Sequence, residues 1–234
     1  STEELLREIE EIIRRILEIA DKTSKEWADL IKRILELIKR NLEELRKLVR
    51  EVLEEVRKEG TSDRRVEEDL KRLLERYRRE LEKLKEELKK VLDEHKKELK
   101  RLKDKLKRLL EELRKRVDDQ DKTVLEEVLK EIADVVREIT EVNKELARII
   151  EELVKKIAKL SEEVLKTVEE LIEELLEDKD TIDKLRKRLK EIKDRTKELL
   201  DRIREEIREL RERNKEIVKD IERRLRELKD RIRK

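Results

Sequence analysis

The sequence contains no cysteine, proline, methionine or phenylalanine. It has one glycine, one tryptophan, one tyrosine and one histidine. Each absence excludes something. Without cysteine there is neither a disulfide nor a thiolate metal site. Without proline nothing interrupts a helix from within. A single glycine leaves no room for a glycine-rich phosphate loop. No apolar run approaches ~20 residues, so no segment is expected to span a bilayer. The N-terminal residues show no signal- or transit-peptide pattern, so no targeting is expected. Charge of one sign is also missing. Lys and Arg total 68, Asp and Glu total 66, and the two signs interleave. No global pull toward nucleic acid or anionic lipid follows, and neither is expected as a partner.

What is present is charge and aliphatic carbon. Charged residues make up 57% and hydrophobic ones 35%. Such a balance can mean disorder, but here the apolar residues are regularly spaced, which reads as long helices. Three breaks punctuate the pattern. "EGTSDRR" (59–65) holds the only Gly, where a helix would end, and Thr61, Ser62 or Asp63 could cap the next helix. "DDQDKT" (118–123) and "EDKDT" (177–181) are Asp-rich and suit helix starts. The breaks predict four helices, at about 2–58, 63–117, 122–177 and 180–233. Short connections force consecutive helices to run antiparallel. The expected fold is an all-α, up-down-up-down four-helix bundle, read as one domain over 1–234.

Apolar positions recur every 18 residues rather than every seven. Ile13, Ile31 and Val49 are equivalent, as are Leu70, Leu88 and Leu106, Val136, Val154 and Ile172, and Leu189, Ile207 and Leu225. Eighteen residues are five turns at 3.6 per turn, so straight helices can keep one face inward without supercoiling. The first and third segments carry wide apolar stripes with doubled positions. The second and fourth carry mostly single ones. Net charges by segment are −1 (1–58), +7 (63–117), −7 (122–177) and +7 (180–234). Placing the wide-stripe helices across the bundle from each other, in cyclic order 1–2–3–4, keeps the two basic helices apart.

The same register places polar residues on the apolar face. Residues 21–30, "DKTSKEWADL", put Thr23, Ser24 and Trp27 where neighbouring turns carry Ile and Leu. Folding at the breaks brings His95, Asn143 and Asn214 to that level, with Thr140 one turn away. A second level, one repeat distant, holds Asn41, Tyr77, Ser161 and Thr196. An unpaired buried polar group costs roughly 1–3 kcal/mol, so both levels are expected to be mutually satisfied layers. Their expected value is specificity, because a slipped helix would strand them against Leu and Ile.

Reactive readings of these residues are weaker than structural ones. A di-metal bundle needs two Glu-x-x-His pairs. Here Leu92 stands three before His95, and there is no second His. His95 is therefore read as a core histidine. Trp27 and Tyr77 read as core aromatics rather than stacking platforms, and Ser24 and Ser161 lack any nucleophile motif. The basic stripes lack the aromatic interleaving of a nucleic-acid groove. No catalytic, cofactor-binding or metal-binding residue is expected, and no cofactor.

Equal-length idealised helices, Glu/Lys/Arg surfaces and near-absence of Gly and Pro resemble de novo designed helical bundles with buried hydrogen-bond networks. The resemblance covers the whole chain. It implies a structural scaffold, monomeric and without enzymatic or natural biochemical activity, whose polar layers set helix register. The alternative is an interaction module, in which hairpins 1–117 and 122–234 exchange into a domain-swapped homodimer or bind a partner helix.

Overall fold

The computed structural model describes residues 2–60, 64–115 and 122–234. Four helices account for nearly all of them: α1 (Thr2–Lys58), α2 (Arg64–Lys115), α3 (Lys122–Leu175) and α4 (Lys179–Arg233). The proposed caps Thr61, Ser62 and Asp63, and residues 118–121 of the second break, lie outside the described residues. At the first break, Gly60 adopts φ 72°. Its N–H donates to the Arg57 carbonyl at 3.1 Å, an end to α1 in the left-handed conformation that glycine adopts without strain.

The α3–α4 connection differs by a residue or two from the expected 177/180 boundary. Asp178 takes the cap position of α4. Its backbone carbonyl accepts from Ile182 N–H at 3.0 Å, and its carboxylate accepts the Thr181 hydroxyl at 2.7 Å. The N–H groups of Glu177 and Asp178 turn away from α3 and donate to the Glu59 carboxylate at 3.0 and 3.2 Å. An acidic cap competes with the last turn of α3 for these residues and ends it at Leu175.

The chain divides into two compact units. The first comprises Ser1–Asp29, Lys90–Ile149 and Ile207–Lys234; the second comprises Leu30–Lys89 and Ile150–Glu206. Each is a bundle of four helical segments, one from each helix.

In the first unit α1 pairs with α2 through Arg114 and Glu10 (2.7 Å), and α2 with α3 through Arg101 and Glu138 (3.5 Å). There α3 meets α4 through Arg233 and Glu126 (3.5 Å), and α4 meets α1 through Arg213 and Glu26 (3.2 Å). The core is continuous from Leu6, Ile9 and Ile13 of α1 to Leu102 and Leu106 of α2, Ile132 and Val136 of α3, and Ile221 and Leu225 of α4.

In the second unit the same cyclic order holds. Arg57 pairs with Glu67 (3.2 Å), Arg186 with Glu173, and Arg195 with Glu44 (2.5 Å). Tyr77 of α2 meets Ser161 of α3. In both units each linked pair is antiparallel: the start of one helix lies against the end of the other.

Burial follows the stripe widths. Twenty residues of α1 and 18 of α3 are buried, against 11 of α2 and 12 of α4. The 18-residue sets stay inside along the helices, as shown by Leu70, Leu88 and Leu106 at 0% exposure and Val136, Val154 and Ile172 at 3% or less. A seven-residue pattern on straight helices would drift off the face. Fully burying one such side chain contributes roughly 1.5–3 kcal/mol, whereas an exposed ion pair contributes about 0–1. The aliphatic core therefore holds the bundle, and the surface charges refine it.

Candidate functional site: the buried polar levels

The second level lies in the second unit and resolves into two separate pairs. All four members are buried. Tyr77 Oη and Ser161 Oγ are 3.1 Å apart, joining α2 to α3. Thr196 Oγ1 donates to Asn41 Oδ1 at 3.2 Å, joining α4 to α1. The Thr196 hydroxyl also lies 2.8 Å from the Ile192 carbonyl on its own helix. That second acceptor is the usual retreat of a helical threonine. Burial raises the Tyr77 phenol above its ordinary value, and the Ser161 hydrogen bond partly opposes it.

The first level lies in the first unit and is less complete. Thr23, buried on α1, donates to Asn214 Oδ1 of α4 at 3.4 Å. The other members do not join it. Thr140 donates to the Val136 carbonyl of its own helix at 2.8 Å. Ser24 is half-buried beside them. Trp27 is fully buried, yet its indole Nε1–H has no hydrogen-bond partner; the same holds for both His95 ring nitrogens and for Asn143 Oδ1. The expectation of a mutually satisfied first layer is corrected here. The register carries Thr23, Trp27 and His95 to the interior, but a side-chain hydrogen bond is lost once the heavy atoms stand about 3.6 Å apart or are misaligned. Residues on different helices at one level need not come that close.

His95 illustrates the consequence. Desolvation lowers its pKa from 6.5 to about 4, so the ring is neutral at neutral pH. It lines a surface groove between α2 and α3 together with Glu94, Glu98, Glu141 and Glu145. Glu98 and Glu145 are already engaged by Arg101 and Arg148. Among the described residues, no group of three or more His, Asp or Glu side chains could hold a metal ion. None of the described helices is long and apolar enough to cross a membrane.

Two further concavities adjoin the first level. A groove of about 700 Å³ between α3 and α4 has Trp27, Thr140, Asn143, Asn214 and Val218 in its wall and charged side chains around it. A small cavity of about 30 Å³ is lined by Thr23, Asn143 and Asn214 together with aliphatic residues of α1, α3 and α4.

Sequence reasoning did not find Glu59 as a bridge to the α3–α4 connection, nor the ion pairs between helices. The second had a legible signal. Contacting α1–α2 residues have numbers adding to 124, as for Arg114 with Glu10 and Arg57 with Glu67, close to twice the break at 60. Searching each helix pair for opposite charges at such complementary numbers would have flagged them. No protein-family model matches the chain, and no curated protein or solved structure shows significant similarity to it.

Proposed function

We propose that this chain is a designed structural scaffold, monomeric and without catalytic activity, in which buried polar pairs select one helix register. The observation that carries the reading is the second level. There Tyr77–Ser161 and Asn41–Thr196 form two buried hydrogen-bonded pairs inside an otherwise aliphatic core. Such pairs add little net stability, because each replaces bonds to water. They penalise any slipped alignment, which would place hydroxyl and amide groups against Leu and Ile. The test removes both pairs at once: Asn41→Leu, Thr196→Val, Tyr77→Phe and Ser161→Ala in one chain. The expected variant stays helical and at least as resistant to denaturant, but gives several species by light scattering and multiple amide resonance sets. One sharp resonance set from a monodisperse monomer would refute the register role.

One observation favours the second reading, an interaction module. Among the described residues, the uncharged pairs Thr23–Asn214, Asn41–Thr196 and Tyr77–Ser161 each link a helix of the first hairpin to a helix of the second. The polar specificity is thus directed at hairpin-to-hairpin pairing, the contact that exchange would reuse. Light scattering across a concentration range separates the readings. A constant mass near 28.7 kDa supports the monomer, and a concentration-dependent doubling supports exchange.

A further inference from the structure

We propose that the first unit contains an internal hydration site, a cavity at the Thr23–Asn143–Asn214 level built to hold one or two water molecules. The site deepens the scaffold reading above, since it completes the polar level that direct contacts leave unfinished.

Size selects the occupant. The cavity measures about 30 Å³. One water needs roughly 10–15 Å³ of such space, whereas an aromatic guest has been accommodated in about 150 Å³. A water or a pair of waters fits; an organic ligand does not.

Chemistry selects it too. The polar lining residues cluster at one end. Along α1 the lining runs from Ile16 to Thr23, along α3 from Val136 to Asn143, and along α4 from Ile221 back to Asn214. Because α4 is antiparallel to both α1 and α3, Thr23, Asn143 and Asn214 meet at the same end and aliphatic carbon closes the other. Asn143 Oδ1 is buried and has no donor. Thr23 Oγ1 spends its proton on Asn214 Oδ1, so its lone pairs stay free, and the Asn214 amide nitrogen is a further donor. A water there could donate to Asn143 and Thr23 while accepting from Asn214. Those are the two to four partners a buried water requires. Asn143 and Asn214 also line the wide α3–α4 groove outside, which supplies a route for exchange with solvent.

The experiment uses the full chain, with side-chain amides of Asn labelled with nitrogen-15. Water-to-protein cross-relaxation is read at the Asn143 and Asn214 amides. The expected parent spectrum shows cross-peaks of the sign given by a water that tumbles with the protein. Thr23→Val keeps the shape and removes one acceptor, and its cross-peaks are expected to weaken. Asn143→Leu fills the polar end, and its Asn214 cross-peak is expected to vanish. A high-resolution crystal structure of the parent provides the second readout, with density expected within hydrogen-bond distance of Asn143 and Thr23. A parent without long-lived water cross-peaks would overturn the proposal. So would a crystal structure in which Asn143 and Asn214 bond directly across a closed cavity. Either result would leave the register reading standing, because that rests on the second level and on its own variant.

Discussion

Thr196 faces two acceptors at once: Asn41 Oδ1 on α1 at 3.2 Å and the carbonyl of Ile192, one turn back on its own helix, at 2.8 Å. One hydroxyl proton cannot serve both fully. The pair is therefore asymmetric: Thr196 has a second acceptor on its own helix, whereas Asn41 Oδ1 takes its hydrogen bond from Thr196. Asn41→Leu is expected to be neutral or mildly stabilising, within about 1 kcal/mol, because Thr196 falls back on Ile192. Thr196→Val leaves a buried amide oxygen without its donor and is expected to cost about 1–3 kcal/mol. Guanidinium denaturation of the two single variants checks the order. Equal losses would refute the asymmetry.

His95 provides the pH test. Its folded pKa of about 4 lies below the ordinary 6.5, because burial disfavours the charged ring. The unfolded chain therefore takes up the proton first as pH falls. The neutral-histidine contribution is complete above about pH 6.5 and is lost progressively toward pH 4. Glu94, Glu98, Glu141 and Glu145 line the same groove, but burial is what sets the shift, which corresponds to a loss on the order of 3 kcal/mol across that range. Denaturant midpoints from pH 7 to 4 measure it, and His95→Leu is expected to remove the histidine-linked part of the slope.

The same variant tests the unpaired ring. Both His95 nitrogens lack partners, so His95→Leu discards two buried polar atoms and strands none. At pH 7 it is expected to gain about 1 kcal/mol. A loss of that size would mean the imidazole is satisfied in solution.

Tyr77 tests the opposite end of the pH scale. Burial raises its phenol, so the unfolded state loses the proton first as pH rises. The contribution is intact below pH ~10 and declines above it. Tyr77→Phe is expected to cost about 1 kcal/mol at pH 7, because Ser161 loses its partner. It should also flatten the alkaline limb of the stability profile. An unchanged alkaline limb would refute the burial of the hydroxyl.

Salt and heat test the division between core and surface. Most ion pairs here join side chains that are well exposed, such as Arg202–Glu198 at 69% and 66%. Screening at 1 M salt shortens the Debye length to about 3 Å. The thermal midpoint is nevertheless expected to move little and to stay above ~70 °C, beyond the ~45–65 °C of ordinary mesophilic domains. A fall into that range on adding salt would show that the surface charges, not the aliphatic stripes, hold the bundle.

Helix number, bounds within a few residues, the antiparallel order and the inward face were all legible in the amino-acid sequence. Each rests on a property that repeats along the chain: a 3.6-residue turn, an 18-residue apolar period and sparse caps. Repetition averages out local error, so Leu70, Leu88 and Leu106 could be assigned to the core without coordinates, and all three are fully buried. Polar pairing was only partly legible. Asn41, Tyr77, Ser161 and Thr196 were placed at one level, but their separation into an α1–α4 pair and an α2–α3 pair depends on side-chain direction. Trp27, His95 and Asn143 share a level with Thr23 and Asn214 yet leave buried polar atoms unpaired. Register locates a residue to within about a helical turn, roughly 5 Å, while a hydrogen bond is decided within a few tenths of an ångström. The sequence by itself therefore determined which residues go inside and at what height. Only the tertiary structure decided which of them touch, because that depends on the angle at which each side chain leaves its helix and on the gap left between neighbours.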